Sequence, residues 1–551
     1  MIEFFTFSGF SAAKNVWLVF GLALAAGSFF FYFVKKDRLA LLLLTLGGMC
    51  LFTFGALSDP FLQLWDERFH ALVAKNCMET PLMPRLYPEL PIAEFDPMIW
   101  SHAYIWLHKQ PLFIWQIALC FKLFGVSEFT LRLPSVIMAT LMIPLCYRMG
   151  KLFIDRRLGY YTALSAAFSW FMLDLVSGHG LSDHNNVCFA FYVTASVWSW
   201  MEYVRSGRKW GWVALTGVLS GCAILTKWLT GLLVYLVWGL YLLSKYRFRL
   251  KEWKILQLVA ALAITVAVAL PWQIYTIKAY PEVAKKELEN NSAHFSQAVE
   301  GHHQDRDFYL KTLPVIYIGD KDYGNITSEV LEYTPKRVLH ILILLTGFGL
   351  LVYRSKQWEK RIPLAVTVLF VYLFFSMAGT KLPAYLFCVC AGGFMSIGMV
   401  CCFWEEIIQK FLKNRVAIFA VWFPLMAFIA LYQFNFTWYR QHHVSRYVWW
   451  RSGMIENVQN YKNLKKILPE RTILFNVRAT YDDWKGCVTP TEAMFYTDAI
   501  CYSFTPTEEQ LQMLKEQGYH IAVLTHLPVP DYMMTDDEVQ KIDGVEILYD
   551  L

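Results

Sequence analysis

Long apolar runs dominate this chain and decide what it can fold into. About twelve of them, each approaching the ~20 residues that cross a bilayer as a helix, lie between Val16 and Tyr432. Inside lipid the backbone must satisfy its own hydrogen bonds, so runs of this kind span as α-helices. Charged residues make up only 17% of the chain, against roughly 25% in soluble proteins. The sequence therefore predicts an all-α polytopic membrane protein with about 12–13 transmembrane helices.

Clusters of Lys and Arg fall on every second turn between these runs, for example at residues 35–38 and 245–254. Such clusters stay on the cytoplasmic side of a membrane. The net charge of +6 is therefore a signal for orientation, and no nucleic-acid partner is expected. The outer side receives two long loops, at about 58–110 and 276–336. The alternation holds if residues 111–125 form a juxtamembrane or half-crossing helix.

The composition changes after residue 437. The patterns beyond it predict strands at 472–475, 521–524 and 545–549 and a helix at 507–518. We therefore expect a transmembrane domain at 1–437 and a small soluble α/β domain at 438–551 on the outer face.

An acidic stretch, residues 65–70 (WDERFH), follows the apolar run 39–57. Two acids and an arginine at the mouth of a span are costly to place there without a function. Asp66 is suited to cap a short helix, in which Glu67 and Arg68 fall in the first turn. The helix has one apolar face, formed by Phe69, Leu72, Val73 and Cys77. The plain alternative is an interfacial helix that lies on the membrane with a charged cap.

Other charged and polar residues fall on the same predicted side. They are Lys109, Asp183, Lys227, Lys381, His294, His302 and His303. Each has an ordinary alternative: lysines reach for headgroups, Asp183 caps a helix, and loop histidines are solvated. Together, cations at headgroup depth suit a phosphate carried on a lipid. A carboxylate beside them suits a general base that takes a proton from an acceptor. The sequence shows no P-loop or dinucleotide-binding motif beside them.

Metal and thiol chemistry remain open at this level. Asp66, Glu67, His302 and His303 could converge on a divalent ion, but their spacing does not decide it. No cofactor is certain from the sequence. Among the cysteines, Cys487 and Cys501 share the predicted soluble domain, where a disulfide and two free thiols are both open.

Several motifs, in order along the chain, resemble those of one family. They are Asp66-Glu67, Lys109-x-Pro111-Leu112-Phe113-x-Trp115, the segments 124–128 (FGVSE) and 131–135 (LRLPS), and more weakly Lys227, the segment 308–310 (FYL) and the segment 380–385 (TKLPAY). The set is similar to the GT-C glycosyltransferases that use polyprenyl-phosphate sugars. The aminoarabinose (lipid A) transferase branch, related to the protein O-mannosyltransferases, matches best.

This resemblance implies a GT-C fold in the inner (plasma) membrane, with the catalytic first loop and the C-terminal domain in the periplasm. The donor would be a sugar on undecaprenyl phosphate or a similar carrier, and the reaction a single displacement, inverting at the sugar. Asp66 would be the base, with Glu67 beside it and Asp183 as a second site carboxylate. The residues expected to line the donor phosphate are Arg68, Lys109, Lys227, Lys381 and Tyr385, with candidate second-loop contacts at His294, His302 and His303.

Two departures loosen the match and leave the sugar and the acceptor open. Many relatives have Lys-Pro-Pro where this chain has Lys109-Gln110-Pro111, and the segment 182–186 (SDHNN) is unusually polar. The acceptor is a hydroxyl or phosphate on a lipid such as lipid A, another glycolipid or glycan, or a protein. The alternative function is a transporter or flippase of lipid-linked sugars. A transporter is expected to carry charges within its spans or inverted repeats, and neither is evident here.

Overall fold

The computed structural model describes most of the chain. The residues it covers are 12–92, 100–101, 103–178, 184–207, 209–246, 252–299, 302, 304–319, 332–354, 358–435, 448–478 and 488–547. Asp183, His303 and Cys487 lie outside the described residues.

In the part of the chain that the structure describes, helices dominate the first four-fifths, and the strands, all short, follow residue 471. The helices up to residue 434 are α1 (Ala12–Phe33), α2 (Asp37–Ala56), α3 (Asp66–Cys77), α4 (Pro111–Phe124), α5 (Glu128–Phe153), α6 (Arg156–Ala167), α7 (Trp170–Ser177), α8 (Asn185–Arg205), α9 (Trp210–Lys227), α10 (Leu233–Tyr246), α11 (Glu252–Ala279), α12 (Pro281–Ser296), α13 (Phe308–Ile318), α14 (Pro335–Tyr353), α15 (Trp358–Met377), α16 (Cys390–Phe411) and α17 (Arg415–Phe434). Two 3₁₀ helices, Trp228–Leu232 and Pro383–Val389, precede α10 and α16. The remaining elements are α18 (Val448–Ile467), β1 (Thr472–Phe475), α19 (Val488–Thr497), β2 (Ile500–Cys501), α20 (Glu508–Glu516), β3 (His520–Leu524), α21 (Asp531–Met534) and β4 (Val539–Ile542).

Eight helical stretches in the described part of the chain are long and apolar enough to cross a membrane. They are Asn15–Phe33, Asp37–Ala56, Glu128–Phe153, Trp210–Tyr246, Ile255–Ala279, Pro335–Tyr353, Pro383–Phe411 and Arg415–Phe434. The sequence predicted about twelve spans because shorter runs were included. One such run, residues 160–176, is divided between α6 and α7, because Ser169 caps α7 through a bond from the Met172 amide. The helix expected at 111–125 is present as α4, with 14 residues.

The chain divides into two compact units. The membrane unit comprises Met1–Ser58, Pro134–Ala279 and Leu288–Arg440. Its first two helices approach closely because both carry glycine: a Cβ on Gly47 would lie 3.0 Å from the Gly21 carbonyl oxygen. Small residues at a crossing let helix backbones pack in this way.

The second unit comprises Asp59–Leu133, Tyr280–Glu287 and Gln441–Leu551. The first long loop therefore belongs to the same compact unit as the C-terminal segment. The division into a membrane domain and a soluble domain at 437 and 438 stays a prediction. Within this unit the strands form one parallel sheet in the order β2-β1-β3-β4. Strand β1 is buried along its whole length, as expected for a central strand covered on both faces.

The α/β character of the C-terminal segment is as predicted, with one error in its strands. Strands β1 and β3 and helix α20 lie where the sequence places them, and Thr507 caps α20 in a capping box with Gln510. Among the described residues, however, the last strand is β4 at Val539–Ile542, and residues 545–547 form no strand; residues 548 and 549 of the predicted strand lie outside the described part. An apolar alternation at the end of the chain was mistaken for a strand, although the pairing partner of β3 precedes it.

Helix α3 also differs from its prediction in two respects. Asp66 is the first helical residue, whereas Trp65 occupies the N-cap position without a side-chain cap bond. The apolar face is buried inside the second unit, and so are the residues on most of the other faces from Glu67 to Ala74. An interfacial helix lying on a membrane would expose one side, so the burial of α3 excludes that alternative for this arrangement.

Candidate active site

Asp66 stands at the start of α3, directly after a constrained turn. Trp65 has φ 64° and ψ −121°, a backbone conformation that bulky residues adopt only when surrounding contacts enforce it. The turn leaves the Asp66 side chain 30% exposed and places Oδ1 3.3 Å from Nζ of Lys109, whose side chain is 18% exposed. Asp66 and Lys109, 43 positions apart in the sequence, are thus brought together as predicted residues of one site.

Two neighbouring residues fix Lys109 in place. Pro111 occupies the first turn of α4, and its missing N–H is no loss there. On the other side His108 stacks on Trp100 with ring centroids 4.4 Å apart, and its Nδ1 lies 3.4 Å from Oε2 of Glu287. The lysine is therefore held between a stacked ring and a helix start. The proline of the Lys109-x-Pro111 motif explains why the helix begins there.

Glu67 is buried and serves the architecture around Asp66. Its side chain is 2% exposed and accepts two bonds from Arg132, at 2.7 Å from Nε and 2.9 Å from Nη2. It also accepts a 2.6 Å hydrogen bond from the backbone amide of Gln63. Arg132 further donates to the carbonyl oxygens of Asp59 (2.8 Å) and Phe61 (2.7 Å). Glu67 and Arg132 thus join α3, α5 and the turn that precedes Trp65.

Arg68 is likewise buried in an ion pair inside the second unit. Its side chain has no exposed surface, and its Nη2 lies 2.9 Å from Oε2 of Glu492 in α19. The same nitrogen lies 3.9 Å from the Met454 sulfur. The sequence predicted Arg68 as a phosphate ligand, but in this arrangement it would have to leave a buried ion pair to meet one.

In the membrane unit, Lys227 and Tyr385 come together. Lys227 ends α9, where Trp228 adopts φ 64° and breaks the apolar stretch into α9 and α10. Its Nζ donates to Oδ1 of Asn186 at 2.7 Å and lies 5.1 Å from the centre of the Tyr385 ring. Asn186 belongs to the polar segment 182–186 that contains Asp183.

Lys381 forms part of a second group in the membrane unit. Its amide donates to the His302 carbonyl (3.3 Å), and its Nζ donates to the Gln304 carbonyl (3.1 Å). Burial, together with the nearby Arg306 charge, lowers the pKa of Lys381. The adjacent Thr380 hydroxyl lies 3.1 Å from Nδ1 of His294. Backbone hydrogen bonds from Thr380 to His294 and from Lys381 to His302 therefore bring His294, His302 and Lys381 together.

Sequence reasoning missed several residues of this architecture. Arg132 lies in the segment 131–135 (LRLPS), one of the motifs that carry the family resemblance, and the sequence predicted no role for it. Glu492 carried no signal, because its partner Arg68 is 424 positions away. Among the described residues, no group of three or more His, Cys, Asp and Glu side chains could hold a metal ion.

Comparisons with known proteins match part of the chain by sequence. Residues 108–274 match the family model described as dolichyl-phosphate-mannose-protein mannosyltransferase. A region of 174 residues is 33% identical to the undecaprenyl phosphate-alpha-4-amino-4-deoxy-L-arabinose arabinosyl transferase of Pseudomonas paraeruginosa. Another match, 26% identical over 163 residues, is an uncharacterised protein of Aquifex aeolicus. Each match covers 29% of this chain and only 29% of the relative's length. The family resemblance predicted from the sequence is confirmed over that part.

Comparison of folds extends over most of the chain. The crystal structure of ArnT from Cupriavidus metallidurans bound to undecaprenyl phosphate is similar with a TM-score of 0.59, at 13% identity, over 86% of this chain and 88% of that one. The apo structure of the same protein gives a TM-score of 0.57 at 14% identity, over 90% and 89% of the two chains. Likeness at this level of identity shows the fold, and the predicted GT-C architecture is confirmed.

Proposed function

We propose that this chain is a membrane glycosyltransferase that moves a sugar from a polyprenyl-phosphate carrier to an acceptor. The observation that carries the proposal is the partly exposed Asp66–Lys109 pair, a carboxylate and an ammonium 3.3 Å apart, in a chain with an ArnT-like fold. Undecaprenyl phosphate is the proposed carrier. It is named both for the Pseudomonas relative and for the ligand of the ArnT crystal structure, which supports this choice.

In the proposed reaction Asp66 is the general base. The acceptor gives its proton to the Asp66 carboxylate while the acceptor oxygen bonds to the anomeric carbon of the sugar. The bond from that carbon to the phosphate oxygen breaks, and the carrier phosphate leaves with the electron pair. Lys109 binds this phosphate and stabilises its growing charge. Attack opposite the leaving phosphate inverts the anomeric carbon.

The same ion pair suggests how the donor prepares the base. In the described arrangement Lys109 contacts the Asp66 carboxylate. The donor phosphate is a diester with one negative charge, and it gains a second as its bond to the sugar breaks, so it becomes a stronger acceptor for an ammonium than the carboxylate is. We propose that the donor phosphate draws Lys109 toward itself and leaves Asp66 to the acceptor. Binding of the donor and activation of the base would then be coupled.

The remaining predicted residues keep proposed roles. Glu67 supports Asp66 through its bonds to Arg132 and Gln63. We propose further donor contacts from Lys227, Lys381 and Tyr385, a second site carboxylate in Asp183, and second-loop contacts from His294, His302 and His303. The proposed acceptor is a hydroxyl or phosphate of lipid A, another glycolipid or glycan, or a protein. The proposed location is the inner membrane, with the site and the C-terminal segment facing the periplasm.

The test is sugar transfer by the purified chain in lipid nanodiscs. Undecaprenyl phosphate carrying a radiolabelled aminopentose or hexose is supplied with outer-leaflet lipids, and labelled products are separated. We expect label to move to a new covalent product with the wild type and to stop with Asp66→Asn. Asp536→Asn is the matched control, since Asp536 is a lysine-paired carboxylate of the same unit away from the pair. Wild-type turnover by Asp66→Asn would refute the role of Asp66.

Lys109→Ala separates the donor role from the acceptor role. We expect it to raise the donor concentration needed for half-maximal rate more than the acceptor concentration. Lys515→Ala, which removes the partner of Asp536, is its control. An unchanged donor dependence would contradict the phosphate role of Lys109. Label that crosses the bilayer of sealed vesicles without any new product would instead favour a transporter.

A further inference from the structure

The C-terminal segment contacts α3, the helix that begins at Asp66. Arg68, two positions after Asp66, reaches Glu492 in α19 at 2.9 Å, and the two side chains are 0% and 1% exposed. An ion pair so far from water holds its two helices in one relative position, because separating the charges inside the protein is costly. The contact lies in the first turn of α3, beside the proposed base.

A second contact joins the C-terminal ends of the same two helices. Lys75, in the last turn of α3, donates from Nζ to the carbonyl oxygens of Met494 (3.0 Å) and Phe495 (2.8 Å) in α19. It also pairs with Asp498, directly after α19. Cations stabilise the carbonyl end of a helix in this way. Helix α3 is therefore tied to α19 near both of its own ends, through contacts that all lie within the second unit.

We propose that Arg68 and Glu492 are positioning residues, through which α19 of the C-terminal segment sets the orientation of Asp66. This proposal rests on the proposed function of Asp66. It gives Arg68 a role other than the phosphate ligand that the sequence suggested. It also gives the small α/β segment a part in catalysis, since α19 connects β1 to β2 of its sheet.

The packing around α3 makes such transmission effective. The helix is buried on almost every side, and close-packed interiors pass small displacements on because they leave little free volume. The Asp66 backbone follows the constrained Trp65 turn, so a shift of the first turn of α3 changes the direction of the carboxylate. A displacement of about 1 Å at a reacting group can cost a hundredfold in rate.

The test compares two conservative substitutions in α19. Glu492→Asp keeps the charge but withdraws the carboxylate by one methylene, so it must pull α3 or lengthen the pair. Tyr496→Phe is the matched control: it removes the 2.9 Å bond from the Tyr496 hydroxyl to Glu128, an α19 contact that does not involve α3. Hydrogen exchange of the Arg68 and Phe69 amides, which bond to the Trp65 carbonyl at 3.0 and 3.4 Å, reports the first turn of α3 without any need for turnover.

We expect Glu492→Asp to speed exchange of these amides and to lower the maximal rate by about tenfold or more, with the donor dependence unchanged. Tyr496→Phe should leave both near wild type. Arg68→Lys should behave like Glu492→Asp, since the ammonium cannot reproduce the guanidinium geometry. The proposal is overturned if the two α19 variants change exchange alike, or if Arg68→Lys mainly weakens donor binding while Glu492→Asp is normal. Because exchange is read separately, a failure of Asp66 as base would not be confused with a failure of this positioning.

Discussion

The buried pair between Glu67 and Arg132 gives the sharpest test of how the Asp66 turn is held. Arg132→Gln removes a guanidinium that contacts both Glu67 oxygens and the carbonyls of Asp59 and Phe61. The variant leaves Glu67 as a carboxylate in a site where its side chain is 2% exposed. We therefore expect a large loss of stability and, because the Trp65 turn loses its support, a loss of turnover.

The magnitude follows from the burial. Breaking one partner of a buried ion pair costs roughly 3–5 kcal/mol, because the other charge stays buried without compensation. Replacing both partners is less costly than the sum of the single changes, so Glu67→Gln/Arg132→Gln should show a coupling free energy of about 3 kcal/mol. An exposed pair is worth only about 0–1 kcal/mol. Lys465, 54% exposed beside the 51% exposed Asp498, provides that reference in the variant Lys465→Gln.

The assay is reversible unfolding of the purified chain in mixed detergent micelles, followed by circular dichroism, for the wild type and these four variants. We expect Arg132→Gln and Glu67→Gln each to lower the free energy of unfolding several times more than Lys465→Gln does. A loss below about 1 kcal/mol for Arg132→Gln, or additive single and double variants, would refute the reasoning.

Two further predictions concern packing and pH. A Cβ on Gly379 would lie 2.4 Å from the backbone carbon of Gln297, so Gly379→Ala should lower the unfolding temperature. Gly349→Ala in α14, with nothing within 4 Å of its Cβ, should leave it unchanged or raise it. The hydrogen bond from Lys515 lowers the pKa of Asp536 in the folded protein. The pair therefore stabilises the fold fully above the unfolded-state pKa of about 3.9, and this stabilisation is lost as pH falls through the lowered folded-state pKa. Acidification should therefore reduce the unfolding temperature of the wild type more than that of Asp536→Asn, and equal reductions would contradict this.

Much of the fold could be predicted because its causes are local. The apolar runs predicted most of the helices, and Thr507 and Gly518 correctly marked the start and the end of α20. Counting spans was harder, since a cap such as Ser169 divides an apolar run without changing its composition. The last strand was misplaced because alternation alone does not show which segment pairs with β3.

The candidate site divides in the same way. The sequence by itself determined the chemistry: Asp66 as a carboxylate among cations, Lys109 before a helix-starting proline, and the resemblance to enzymes that use lipid-linked sugars. Only the tertiary structure decided which of these charged side chains stay partly exposed and which are buried. It sets Asp66 3.3 Å from Lys109 with partial exposure, while its neighbours Glu67 and Arg68 are buried against Arg132 and Glu492. Three consecutive charged residues receive different roles because each helix position points to a different neighbour, and those neighbours come from distant parts of the chain.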